Sequence, residues 1–504
     1  MKLPNPVIPG FHPDPSVCRV GEDYYLVTSS FEYYPGVPLF HSRDLVHWRQ
    51  IGHCLTRPSQ LPLEGARSSG GIFAPTIRYH DGVFYMVTTN VTGGGHFYVH
   101  TCDPYGEWSE PVWVDAGVPG IDPSLLFDDD GTVYFTATSR QGIIGTRLDI
   151  ATGRRLQEPE RLWSGTGGQF PEAPHLYHIG DYYYLMLAEG GTERGHMITI
   201  ARSTSPWGPF ESCPYNPILS HRSTNLPLQA TGHGDLIQAH DGIWWMVFLA
   251  VRPAGSYPEA HHIGRETCLS PVRWTEDSWP IVGEMGLVRP DLDVETLPLH
   301  PWPDRATRDD FDAPNLDPTW NFLRNPYEAD WSLSERPGWL RLKGSAVTPD
   351  DLDSPAWVGR RQQHLSARAE TWLEFDPQRD GEEAGLMAFM NDRHHYEVAV
   401  IRRDGARFII VRRRIGSLRR VVAREMIGSG PVHLRIEGTP EYYEFSYALG
   451  DGSMRTLARG ETRYLATEVA GGFTGVYLAM YATGNGEAGS APADFDWFEY
   501  EGIA

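Results

Sequence analysis

Five times in its first three hundred residues the chain passes through a tight turn marked by glycine and runs straight into an aromatic-rich strand. The segments are VGEDYYLVTSS from Val20, HDGVFYMVTTN from His80, DDGTVYFTATS from Asp129, IGDYYYLMLAE from Ile179 and HDGIWWMVFLA from His240. Their glycines, Gly21, Gly82, Gly131, Gly180 and Gly242, recur at intervals of 61, 49, 49 and 62 residues. Each segment reads as the second strand of a β-hairpin. A partner lies upstream of each: FHPDPSVCRV, IFAPTIRYH, GIDPSLLFD, FPEAPHLYH and GHGDLIQAH. Downstream, four of the five repeats close a third strand on a small-polar turn and a tryptophan (HSRDLVHW, TCDPYGEW, RSTSPW, RETCLSPVRW), and the third repeat carries LDIATGRR instead. A four-stranded unit repeated five times predicts an all-β, five-bladed β-propeller over residues 1–290.

A propeller has a strict geometric consequence. The first strand of every blade lines a common axis, so equivalent positions of the upstream segments meet there. Those positions are taken as Asp14, Ala74–Pro75, Asp122, Glu172 and His233–Asp235. Three of them set a carboxylate beside a proline, in HPDPS, IDPS and PEAP. A single Asp-Pro reads as a turn. Acids gathered at one rim repel and raise one another's pKa, a cost that stability alone does not select. Two carboxyl groups across a small pocket are what glycoside hydrolysis uses: one protonates the leaving oxygen, and the other activates water or attacks the sugar. A third acid can hold the first one's pKa up. The rival reading is a non-catalytic carbohydrate-binding propeller, which expects Asp14 or Glu172 to be replaced.

Charge narrows the partners. Against 43 Lys and Arg stand 65 Asp and Glu, a formal charge of −22. Such a surface repels nucleic-acid phosphates and anionic lipid, so neither nucleic acid nor membrane is an expected partner. The one basic run, VRRRIGSLRR over residues 411–420, spreads arginines over both faces of what read as edge strands, and is expected to be a solvated face. Aromatics at 12% suit an all-β core and also the stacking of rings on sugars. The five cysteines contain no C-x-x-C, which suggests neither a zinc site nor a disulfide framework. The opening MKLPNPVIPG lacks the apolar core of a secretory signal, and no run of eighteen apolar residues occurs, so a cytoplasmic protein is expected.

Taken together, FHPDPSV, SSGGIFAPTIRYHDGVFYMVTTN, GIDPSLLFDDDG, FPEAPHLY, TGHGDL and IGRETCLSPV resemble glycoside hydrolase family 43, on its β-xylosidase and α-L-arabinofuranosidase side. The resemblance implies a propeller that cleaves by single displacement with inversion at the anomeric carbon. It implies Asp14 as general base, Glu172 as general acid and Asp122 as the group that tunes and orients Glu172. Arg265 of GRET would contact sugar hydroxyls, and Phe31 of SSFEYYPG and Phe73 of GGIFAP would wall the pocket. His233 of GHGDL would stand near the axis beside the sugar. In some members that histidine holds a water-coordinated calcium ion, whereas hydrolysis itself requires no cofactor. The implied substrates are xylo-oligosaccharides or hemicellulose fragments, from which terminal β-D-xylose, α-L-arabinofuranose or both are released. Xylosidases of the family usually carry Trp where this chain has Phe73. That departure leans toward the alternative of a primary α-L-arabinofuranosidase acting on arabinan, arabinoxylan or xyloglucan side chains. Members often form dimers or tetramers, so a homo-oligomer is in keeping.

After about residue 290 the repeat stops. Residues 291–308, rich in proline and acid, read as an extended linker. Beyond them TWLEFDP, GLMAFMN, HYEVAVIRR, RFIIVRRR, VHLRIEG, YYEFSYAL, GVYLAMYA and ADFDWFEY alternate with turns, which predicts a β-sandwich over 309–504. DDFDAPNLDPTWNFLRNP and ADFDWFEY resemble the jelly-roll-like, concanavalin-like sandwich that follows the propeller in family β-xylosidases. Carbohydrate-binding module, structural buttress and lid are the three roles open to it, and the resemblance favours buttress and lid. It also implies that a phenylalanine of the sandwich reaches the site, and FTGVYLAMY makes that Phe473.

Overall fold

The computed structural model describes residues 2–293, 297–489 and 491–503. Five antiparallel sheets form its first part. Blade I consists of Ser16–Val20, Asp23–Val27, Gly36–Ser42 and Arg49–Leu55. Blade II consists of Thr76–His80, Val83–Asn90, Gly95–Thr101 and Val112–Trp113. Blade III runs Gly120–Phe127, Val133–Ser139, Gly142–Asp149 and Arg154–Arg155, with Glu160–Arg161 also on its third strand. Blade IV is Glu172–Ile179, Tyr182–Glu189, Met197–Ser203 and Glu211–Ser212. Blade V is Gln229–Gln238, Trp244–Val251, Glu266–Trp274 and Pro280–Val282. The first strands touch their neighbours in cyclic order, and that of blade V meets that of blade I. All five repeat glycines adopt positive φ, between 60° and 87°, as the hairpin turns require.

The ring closes from two directions. At its rim the N-terminal segment binds blade V: Asn5 exchanges side-chain hydrogen bonds with Leu269, and Val7 and Ile8 bond the backbone of Thr267. At its axis Asp235 of blade V, fully buried, accepts from Ser16 (2.6 Å), Tyr177 (2.6 Å) and both terminal nitrogens of Arg78 (2.8 and 3.2 Å). Arg78 also donates to His175 Nδ1 at 2.9 Å, and Ser124 lies 3.1 Å from the same nitrogen. A guanidinium can only donate, so that nitrogen accepts. Each blade thereby contributes a polar side chain to one knot.

The second part is a sandwich of an eight-stranded and a six-stranded sheet. Leu386, Val398 and Val411 face Leu434, Phe445 and Phe495 in the core between them. The outer face of the six-stranded sheet is also covered: Met387, Phe389, Trp357 and Tyr477 pack with Phe11, Phe31 and Tyr33 of the propeller. This double burial explains why Glu383–Asn391, containing GLMAFMN, is buried at every position rather than at alternate ones. Tyr33–Tyr34 and Phe322–Leu323 pair as strands across the junction. Within the expected linker, Asp291–Asp293 pairs with Lys2–Pro4, residues 294–296 lie outside the described residues, and Trp302 donates to the His41 carbonyl of blade I.

The first half of the basic run departs from expectation, while Arg419 and Arg420 are exposed as expected. Ala406–Ile415 lies inside the sheet and only Leu418–Met426 is an edge strand. Arg412 is buried between Glu397 and Glu383, while Arg413 pairs with Glu461 and Arg419 with Asp350. Carboxylates distant in sequence neutralise Arg412 and Arg413, which looked solvated.

Removing one member of a buried ion pair strands the other, at a cost of about 3–5 kcal/mol, whereas removing both is far milder. Asp235→Leu is therefore expected to lower the unfolding free energy by that order in a urea titration. The double variant Arg78→Met/Asp235→Leu should recover most of the loss in the same urea titration.

Candidate active site

At the mouth of the propeller the inner strands begin with residues in the left-handed region: Asp14 (φ 56°), Asp122 (52°), Ala173 (55°) and His233 (45°). Non-glycine residues there carry strain of about 1–3 kcal/mol, which surrounding structure must enforce. The ladder register slips at the same places, between Ile121 and Ser124, Glu172 and His175, and Gly232 and Asp235. Each slip is a bulge that re-aims side chains away from the regular alternation.

The bulges correct one expectation. The residue in register with Asp14 and Asp122 is Ala173; Glu172 stands one position earlier, paired with Ala188 as Ile121 is with Thr138. Two carboxyls, not three, share the repeated position. From that neighbouring position Glu172 still comes under the charge of Asp14, which raises its pKa.

The three carboxyls are held in different states. Burial works against ionised Asp14, but Arg265 foremost, with His233 and Ser29, holds its pKa below the ordinary carboxylate range. Arg265 Nη1 lies 2.7 Å from Oδ1, Ser29 donates to Oδ2 at 2.6 Å, and His233 Nδ1 is 3.5 Å from Oδ1. Burial first, then the Asp14 charge, pushes Glu172 up to about 7. Asp122 is raised by burial, Glu172 and Asp14, although the Ala173 N–H donates to its Oδ2 at 3.2 Å. The cleft thus combines an ionised carboxylate with protonated acid.

Phe31 and Phe473 flank Arg265, and Phe73 packs against both rings. The Arg265 Cζ lies 5.8 Å from the Phe31 ring and 5.7 Å from the Phe473 ring. Phe31 and Phe73 are 5.3 Å apart, and Phe473 stacks 6.0 Å from Phe31. Phe473 is 38% exposed, Phe31 only 2%. Arg265 Nη2 donates to the Phe473 carbonyl at 3.3 Å, while its Nε is buried without an acceptor.

Sequence reading missed what fastens Phe473. Its N–H donates to Ser69 Oγ at 2.8 Å, and the Ser69 N–H donates to Glu32 Oε2 at 3.0 Å. A Cβ at Gly472 would stand 2.6 Å from Ser69 Oγ, so only glycine allows this approach. Burial raises Glu32 to about 7. Also missed was His196, held neutral by burial, with its pKa near 3. Its ring occupies the space a Cβ on Gly232 would fill, at 2.2 Å, directly behind His233. The glycine before that histidine, in TGHG, was the available signal.

A water-coordinated calcium ion near His233 would draw its oxygens chiefly from solvent, because the nearby carboxylates are already committed. Calcium takes six to eight oxygens. Asp14, the carboxylate facing His233, is already bound by Arg265 and Ser29, and Asp235 below it by Arg78. Among the described residues the His/Asp/Glu group that could gather on a metal is Asp128, Asp129 and His178, which does not include His233.

Residues 3–280 match the glycosyl hydrolases family 43, and residues 308–501 match the β-xylosidase C-terminal concanavalin A-like domain. The chain belongs to glycosyl hydrolase family 43. This family 43 glycosidase is 47% identical over 505 residues to a non-reducing end α-L-arabinofuranosidase of Bacteroides ovatus, covering 98% of this chain and 94% of the relative. It is 38% identical to a xylosidase/arabinosidase of Butyrivibrio fibrisolvens, over 99% of each. Among solved structures, the Bacteroides ovatus xyloglucan PUL GH43B protein superposes with a TM-score of 0.96 at 45% identity, covering all of both chains. A xylan β-1,4-xylosidase from Bacillus halodurans does so at 0.93 and 34%, over 99% of this chain and 100% of its own. The family 43 architecture of five-bladed propeller followed by β-sandwich is that of the sheets described above.

Because Glu32 is raised from 4.5 to about 7 in the folded state, the native protein keeps a proton there that the unfolded chain releases. This contribution is full below pH 4.5 and is lost as pH rises toward 7. Glu32→Gln is expected to gain stability relative to the parent between pH 5 and 7.5, by up to about 3 kcal/mol, in paired denaturant titrations. A pH-independent difference would refute the assignment.

Proposed function

We propose that the enzyme is an exo-acting pentosidase that removes terminal α-L-arabinofuranose or β-D-xylose with inversion. One observation carries the reading: neighbouring buried carboxyls are driven apart in pKa, Asp14 downward and Glu172 up to about 7. Separated pKa values assign base and acid. Asp14 takes a proton from water as the water oxygen bonds to the anomeric carbon. Glu172 gives its proton to the glycosidic oxygen as that bond breaks. Asp122, whose own pKa is raised by burial, Glu172 and Asp14, would act as the neighbour that orients Glu172. The remaining donors of Arg265 face sugar hydroxyls, and Phe31, Phe73 and Phe473 exclude bulk water.

The sandwich serves as buttress and lid. Phe473 closes one side of the pocket, which suits removal of a single terminal sugar rather than cleavage within a chain. The arabinofuranoside reading is favoured over the xyloside by Phe73, smaller than the Trp of family xylosidases, and by the 47% identity to an arabinofuranosidase.

Rates on aryl α-L-arabinofuranoside and aryl β-D-xyloside, with the product anomer followed by NMR, test specificity and stereochemistry together. A first-formed product that retains configuration would overturn the single displacement. Glu172→Gln should lose roughly 100- to 10,000-fold on substrates with poor leaving groups and much less on dinitrophenyl glycosides, which need no proton. Asp14→Asn should lose activity on both. In the parent enzyme kcat/KM should fall as pH rises through about 7, where Glu172 gives up its proton, and that alkaline limb should vanish in Glu172→Gln assayed on the dinitrophenyl substrate.

A further inference from the structure

Residues 471–475, GGFTG, precede the sandwich strand Tyr477–Thr483 and lie against the propeller backbone that leads into Arg265. The Val476 N–H donates to the His262 carbonyl at 2.8 Å. A Cβ on Gly475 would stand 2.5 Å from the Ile263 carbonyl oxygen, and one on Gly264 3.1 Å from the Gly475 Cα. Glycine on both sides lets the two backbones approach this closely. Within the segment, Phe473 spends both of its backbone polar groups on the propeller. Its carbonyl accepts from Arg265 Nη2 at 3.3 Å, and its N–H donates to Ser69 Oγ at 2.8 Å.

The two ends of this tie differ in how firmly they are held. Ser69 lies in the connection between blades I and II, buried, with its own backbone left-handed at φ 59°. Surrounding structure must enforce such a conformation on a serine. Its N–H donates to Glu32 Oε2 at 3.0 Å, and Glu32 directly follows Phe31, a wall of the pocket. Phe31 and Ile72 exchange backbone hydrogen bonds at 2.8 and 3.0 Å, so the Ser69 loop is fastened to the stretch that carries the wall. Glu32 is fully buried and its Oε1 meets no partner among the described residues, a cost that a plain connection does not require. The Arg265 guanidinium is held less completely. Nη1 is 2.7 Å from Asp14 Oδ1, Nη2 only 3.4 Å from Oδ2, and Nε is buried without an acceptor. Among the described residues, the Phe473 carbonyl is the acceptor that this guanidinium has besides Asp14.

We propose that Ser69, seated on Glu32, is a positioning residue for the hydrolytic reaction: by holding the Phe473 backbone it fixes the Arg265 guanidinium against Asp14. The inference rests on the reading of Asp14 as general base. A planar guanidinium anchored on a carboxylate and on a carbonyl is restrained from turning away from the carboxylate. Burial works against ionised Asp14, and Arg265 is the largest influence opposing it. A displaced guanidinium therefore lets the base take up its proton at higher pH.

The test uses the full-length enzyme. Ser69→Ala removes the acceptor and keeps the backbone strain, whereas Ser69→Gly removes the acceptor and relieves the strain, and so serves if Ser69→Ala fails to fold. Both variants are expected to lose roughly 10- to 100-fold in kcat/KM on aryl pentosides. The loss should be equal for poor and for dinitrophenyl leaving groups, because the base rather than the acid is disturbed. The acid limb of kcat/KM should move to higher pH. A serine that merely supports folding would lower the amount of active enzyme and leave KM and the acid limb as in the parent. An unmoved acid limb, or parent kinetics in Ser69→Gly, would overturn the proposal. Crystal structures of the variants give a readout independent of mechanism. Arg265 Nη2 drawn out of hydrogen-bonding reach of the Phe473 carbonyl supports the tie, and an unchanged contact sinks it. Turnover surviving in Asp14→Asn would remove the base assignment alone, and the crystal structures would still decide whether Ser69 positions Arg265.

Discussion

The ion pair of Asp235 and Arg78 is the constraint on which the rest of the molecule depends. Five sheets packed in a ring bring their first strands together at an axis, where backbone and side chains are removed from water. Any charge placed there must be compensated on the spot, because its desolvation is not otherwise recovered. Here the carboxylate accepts from blades I, II and IV at once, and Arg78 reaches on to the His175 ring beside Ser124 of blade III. The knot fixes the register of the inner strands relative to one another. A pocket assembled from several blades needs that fixed register, since a slip of one residue would turn each side chain to the wrong face.

Directly above the knot the strands break their own regularity. Left-handed residues at Asp14, Asp122, Ala173 and His233 aim side chains into the mouth rather than along the strand. The strain is offset by rigid surroundings: prolines follow three of the four, and Asp14 is held by both Arg265 and Ser29. Local distortion and global closure are therefore complementary. The ring positions the strand ends, and the bulges orient what those ends carry.

Charge is sorted by the same geometry. One guanidinium placed against Asp14 keeps it ionised, and that negative charge, added to burial, keeps a proton on Glu172. The sandwich takes part through Phe473, whose backbone is tied to Ser69 and whose carbonyl accepts from Arg265. The second domain is thus bonded to the residue that sets the charge state of the first. Its six-stranded sheet is apolar on both faces for this reason, with one face against its partner sheet and the other against Phe11, Phe31 and Tyr33.

Much of this was legible in the sequence. The repeat glycines at turn positions and the aromatic runs after them specify hairpins, and five such units at similar spacing leave few closed arrangements other than a propeller. The proline-flanked acids marked the mouth, and HPDPS, IDPS and PEAP named Asp14, Asp122 and Glu172 as its carboxyls. Local patterns sufficed because turn chemistry and strand periodicity act over a few residues. Other features were decided only by the tertiary structure. That Glu172, one position ahead of the place taken by Asp14 and Asp122, still comes under the charge of Asp14 depends on a bulge that only pairing across the sheet reveals. That Arg412, Arg413 and Arg419 of VRRRIGSLRR are neutralised depends on Glu397, Glu383, Glu461 and Asp350, which stand apart from it in the chain. Arg78 in APTIR carried no visible motif, because its meaning lies in Asp235, 157 residues away. Periodicity and turn residues fixed the blades; electrostatics, which depends on distance in space rather than along the chain, could be assigned only once the ring had closed.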